Sequence, residues 1–176
     1  MQQRTVPVRL FTVCLGVFAG TAFCMKWMES DLVSGGRTFS IIGVELTYGA
    51  TELRQIFTAL TEPARTALGY HLVFDYLFMA AVYPGIAILC LWARDRYRNP
   101  GLRIFLTCCA IFQAFAWAID VYENRCISRW MAAPDSIGHL RMYHALVTLK
   151  WVIAVFAFLT SLLLLAKRRR STANRT

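Results

Sequence analysis

Asp75, Asp120, Glu123 and Lys150 are ionisable residues embedded in some of the most apolar stretches of the chain. In "AFAWAIDVYENRC", residues 114–126, an apolar run closes on two carboxylates and the amide of Asn124. "HLVFDY", 71–76, sets His71 one helical turn from Asp75 and Tyr76 beside it. "YHALVTLKW", 143–151, surrounds Lys150 with His144, Thr148 and Trp151. A carboxylic acid that donates, a carboxylate that accepts and an ammonium that stabilises developing negative charge are the parts of an acid–base site. On that reading Asp120 or Glu123 is the general acid, Asp75 the general base, and Lys150 the electrostatic stabiliser.

Depth brings these residues together. Asp120 lies about 17 residues beyond Arg103, Lys150 about 17 before Lys167, and Asp75 about 19 before Arg94, so at 1.5 Å per residue all three stand roughly 25–28 Å above one boundary. His71, Glu123 and Asn124 fall one turn further out, and His144 a little over a turn and a half. Helical spacing puts His71, Asp75 and Phe78 on one stripe, Gln113, Trp117, Asp120 and Asn124 on a second, and His144, Thr148 and Trp151 on a third. Charge inside hydrocarbon costs several kcal/mol, roughly, unless it is paired or turned inward. The expected arrangement is therefore an inward-facing polar layer. Its ligand-binding candidates are His71, Tyr76, Trp117, Asn124, His144, Thr148, Trp151 and Glu45. One lysine against two or three carboxylates leaves negative charge, and crowded carboxylates are expected to share a proton. The alternative is an ion-pair network that only locks helices together.

Other chemistries fit less well. His71 and His144 on two helices could hold a b-type haem between them, although they sit among acids near an interface. No spacing of His, Cys, Asp or Glu matches a metal motif. No other cofactor is expected. Six cysteines lack any C-x-x-C, and five lie in apolar runs where cysteine behaves as a small hydrophobe. Cys126 sits at the outer edge, where a disulfide to Cys24 is the alternative to free thiols.

The elements that must position these residues are four long apolar runs, at about 8–28, 68–93, 102–122 and 142–166. Each reaches the roughly 20 residues needed to cross a bilayer as a helix. The composition, 57% hydrophobic and 16% charged with mean hydropathy +0.48, excludes an ordinary soluble domain. The expected fold is all-α, a single four-transmembrane-helix bundle over 1–176. Arg4 and Arg9 before an apolar core resemble a signal peptide, but "GTAFC" supplies no A-x-A cleavage site, so the first run reads as a retained span.

The outer loop, 29–67, is too long for a connector. "TFSIIGVEL" reads as a short strand or an interfacial segment. "ATELRQIFTAL" places Leu53, Ile56, Phe57 and Leu60 at helical spacing, a short amphipathic helix able to lie on the membrane or to act as a lid. The net charge of +9 is laid out asymmetrically. Eleven basic residues, including the 167–176 tail, fall on the side of both termini, and on the other side seven face six acids. The positive-inside rule makes the first side cytoplasmic. No basic–aromatic module accompanies the charge, so nucleic acid is not an expected partner.

"VEL" at 44–46, "FDYLFMAAVY" at 74–83, "DVYEN" at 120–124 and "LVTLKW" at 146–151 resemble a group of small uncharacterised bacterial four-helix integral membrane proteins. These carry an E-L pair, a D-x-L-F…Y, a D-x-x-E-N and a lone lysine in the fourth span. The resemblance covers roughly 41–151 and implies motif positions Glu45, Asp75, Asp120, Glu123, Asn124 and Lys150, but no activity. The acid-plus-His layout is also similar to sterol-isomerase-type membrane bundles, which have a fifth span. The expectation is a bacterial inner-membrane protein with both termini cytoplasmic. Its outer-facing pocket would bind, and be equipped for acid–base chemistry on, a lipid or other hydrophobic small molecule. Expected partners are membrane lipids, that ligand, and a homo-oligomer or larger membrane complex. The competing functions are an accessory or assembly subunit and a proton-coupled transporter.

Overall fold

A computed structural model describes residues 5–138 and 140–173. The chain is all-α, with four long helices each apolar and long enough to cross a membrane. α1 spans Thr5–Met28, α4 Glu62–Asp95, α5 Pro100–Ala132 and α6 Leu140–Ala173. Two short helices lie between the first and second of these, α2 at Ile41–Leu46 and α3 at Ala50–Thr58. A two-residue antiparallel pair, β1 (Val33–Ser34) and β2 (Arg37–Thr38), precedes them. Gly35 and Gly36 close this hairpin at φ 55° and 76°, angles that glycine reaches without steric cost.

The long helices begin where the chain supplies caps. Thr61 accepts from the Ala64 N–H ahead of α4, and Asn99 accepts from the Leu102 N–H ahead of α5. Each cap is followed by a proline in the first turn, where its missing N–H is not needed. α5 has 33 residues and so is about 50 Å long. It runs ten residues past the end drawn from hydropathy, and α4 starts six residues before its expected start. Those extensions are polar, which is why hydropathy alone ends the segments early. "TFSIIGVEL", read as a short strand or an interfacial segment, is strand only at Thr38, the end of β2. Its second half is α2, capped by Ser40, whose Oγ accepts from the Gly43 N–H at 3.0 Å. The basic tail is helical through Ala173. Arg4 and Arg175 lie outside the described residues.

The main core sits at the loop-bearing end. Leu53 and Phe57 of α3 are fully enclosed there against Leu68, Ile127 and Trp130. α3 is thus part of the packed cap of the bundle. Along their middles the four long helices instead turn large side chains outward, among them Val13, Phe23, Ile111, Phe115, Val152 and Leu163. α1 packs chiefly on α4, the close approach coming at Gly85, where a Cβ would lie 3.6 Å from that of Cys14. All six cysteines are free thiols, so Cys24 and Cys126 are not bridged.

Candidate functional site

Lys150 is the centre of the polar layer. The α6 helix carries it into the bundle, where its side chain is 5% exposed. Its Nζ donates to Asp120 Oδ1 at 2.8 Å and to Glu123 Oε2 at 2.5 Å, both from α5. Asp120 and Glu123 are three residues apart, so both reach one face of α5. Glu45 approaches from α2, with Oε1 3.9 Å from the same ammonium. Its Oε2 accepts from Trp151 Nε1 at 3.0 Å. The second oxygen of Asp120 accepts from the Tyr83 hydroxyl at 2.7 Å, donated from α4. One ammonium therefore gathers carboxylates from α5 and α2, and a tyrosine from α4 completes the shell.

Asp75 belongs to the same layer through a neutral contact. Asn124 Nδ2 donates to its Oδ2 at 2.6 Å. Among the described residues no basic group lies within ion-pair distance of Asp75. His71 is buried beside it, and its Nδ1 has no hydrogen-bond partner among the described residues. Asp75, His71, Glu45, Asp120, Asn124 and Lys150 all line one cavity of about 250 Å³ between α1, α2, α4, α5 and α6. Glu123 does not line it and supports Lys150 from behind.

An apolar space adjoins the cavity. A groove of about 430 Å³ runs between α1 and α6 over the face of α4. Phe78, Val82, Trp151 and Ala154 line both spaces, so the two are neighbours with four wall residues in common. Phe11, Leu15, Phe18 and Phe158 carry the groove away from the charged end. The pattern is a small polar chamber beside a long apolar groove.

Several sequence candidates stand elsewhere. Trp117 is 48% exposed and lines a separate hollow with Gln113 and Pro84. Tyr76 points outward and lines neither the cavity nor the groove. Thr148 is exposed, because two residues turn a helix by about 200° and so set it opposite Lys150. His144 lines a different cleft, with Tyr48 and Thr148. Its Nδ1 donates to the Glu45 carbonyl at 3.0 Å and its ring stacks on Tyr48 at 4.1 Å. His71 and His144 thus line separate spaces, the first the Lys150 cavity and the second the cleft beside Tyr48. Among the described residues no three His, Cys, Asp or Glu side chains converge as metal ligands. The segment over the cavity is α2, through Ile41, Ile42 and Glu45, whereas the 51–60 segment lines neither the cavity nor the groove. Tyr83, which fills the second oxygen of Asp120, was not among the expected residues. It lies two turns along α4 from Asp75, and that spacing was the available signal.

No family model, no curated protein and no solved structure matches this chain.

Proposed function

We propose that this is an integral membrane protein, both termini cytoplasmic, that binds an amphiphilic molecule with its polar end in the Lys150 cavity and its hydrocarbon in the α1–α6 groove. The observation that carries the reading is the adjacency of the two spaces, which share Phe78, Val82, Trp151 and Ala154 as wall residues. A polar chamber alone is what a helix lock would leave, and an apolar groove alone is what loose packing in lipid would leave. Side by side, they suit a molecule with a head and a tail, because ligand sites are mostly apolar with a few placed polar groups. The outward-facing side chains of the four long helices supply the lipid-facing surface.

The chamber is also equipped for proton transfer. Asp75 is the carboxylate with room to accept a proton, since it faces the cavity and holds only an amide. Asp120 is held by Lys150 and Tyr83, and any proton it exchanged would pass through those contacts. A second reading, a structural ion-pair lock in an accessory subunit, is favoured by the saturation of Asp120, both of whose oxygens are occupied within the chain.

Thermal unfolding in mild detergent separates the two. Bound ligand stabilises the folded state, so adding a total membrane lipid extract is expected to raise the midpoint of the wild type. Leu15→Trp with Val155→Trp fills the groove from two exposed positions, and that variant is expected to fold but to lose the response. An equal response in both proteins would leave the structural lock standing.

A further inference from the structure

The charges on the cavity wall are unequal. Four carboxylates line it, Glu29, Glu45, Asp75 and Asp120, against two ammonium groups, Lys26 and Lys150. Lys26 is engaged by Glu29 at the rim. Lys150 is shared between Asp120 and Glu123, with Glu45 at the margin of its reach. That leaves Asp75 facing the cavity with a neutral amide as its one partner among the described residues. Beside it stands His71, 5% exposed, with no hydrogen bond to either ring nitrogen among the described residues and with Nδ1 enclosed. An uncompensated carboxylate and a free imidazole at the head end of an apolar groove together select the charge of what fits. A sulfate or phosphate head would meet Asp75, Glu45 and Asp120 at close range and be repelled. A neutral head would leave Asp75 without a counter-charge. An ammonium head would pair with Asp75, offer N–H donors to the imidazole and bring the wall toward neutrality.

We infer that the occupant is a cationic amphiphile, an ammonium head with N–H donors on an alkyl tail, with Asp75 as its counter-ion. This rests on the amphiphile-binding reading above and names the head that the chamber accepts. The lysine-like basicity of an alkylamine keeps it protonated at neutral pH. The same ammonium chemistry is carried by a free long-chain amine and by the head of an aminophospholipid.

The test is isothermal titration into phosphatidylcholine nanodiscs holding the full chain, with hexadecylamine, the neutral hexadecyl ether of octaethylene glycol, and hexadecyl phosphate as probes. The groove-filled Leu15→Trp, Val155→Trp variant in the same discs gives partition into lipid alone, to be subtracted. Hexadecylamine is expected to bind the wild type at least about tenfold more tightly than the neutral ether, the scale of one charge-assisted hydrogen-bonded pair. Asp75→Asn, nearly isosteric, is expected to bring the amine to within about threefold of the ether. Equal binding of amine and ether, or tighter binding of the phosphate, with no binding by the groove-filled variant, overturns the cationic head while the amphiphile reading survives. No probe binding beyond the groove-filled control overturns both. Phosphatidylethanolamine placed in the discs separates the sources. Competition with hexadecylamine assigns the ammonium to a membrane lipid, and absence of competition assigns it to a free amine.

Discussion

Lys150 sets the energetics at the residue scale. Its ammonium is out of water, and two hydrogen-bonded carboxylates with a third at 3.9 Å hold it there. Removing one member of such a set strands the others, which costs more than the set contributes. Lys150→Met is therefore expected to destabilise by about 3–5 kcal/mol, read as a large drop in thermal midpoint in mild detergent. Asp120→Asn should keep the fold, and combining it with Lys150→Met should recover part of the loss. Strict additivity of the two would show that they do not share a site. Tyr83→Phe removes a buried donor to Asp120 and is expected to cost about 1.5–3 kcal/mol, whereas a near-zero change would remove Tyr83 from the shell. Fixed helical rise is why Asp75, Asp120 and Lys150 could be matched in depth from the sequence alone. Face was harder to read. A three-residue step leaves a side chain about 60° off its stripe, enough to send Trp117 round α5 while Asp120 stays inside. The arrival of Glu45 at Lys150 depends on how a loop folds back over 105 residues, which no local spacing encodes.

The short helices decide how the site is covered at the element scale. α2 brings Glu45 to Lys150 and sets Ile41 and Ile42 on the cavity wall. α3 has the amphipathic spacing that suggested a surface helix or a lid, yet its apolar face is inside the core. Periodicity reports that a face is buried and is silent about what buries it, since membrane and protein core are equally apolar. Phe57→Ala separates the two. A core position should lose about 3–5 kcal/mol in cooperative unfolding, and a change under about 0.5 kcal/mol would return α3 to the surface. α1 is the other element that matters, because it packs chiefly on α4 and leaves the groove beside α6. Gly85→Ala adds a Cβ at ordinary contact distance from Cys14 and should be tolerated. A bulkier side chain there would press α1 away.

The whole molecule is four long apolar helices with a packed core at the loop-bearing end. Composition and run length made the helices legible, because apolar runs of that length have few other stable solutions. Helix ends were not legible, because the polar turns beyond the apolar runs carry the same helix with different residues. The orientation we propose rests on eleven basic residues against a balanced opposite side. A reporter active only in the cytoplasm should work after Thr176 and near Asn99 and fail near Gly49. Activity near Gly49 would invert the account. The central claim is that the Lys150 cavity and the α1–α6 groove together hold one amphiphile, and native mass spectrometry tests it most directly. Protein released from mild detergent is expected to carry a single bound amphiphile per chain, absent from the Leu15→Trp, Val155→Trp variant purified in parallel. Wild type and variant carrying the same adducts in the same amounts, or none, would contradict it.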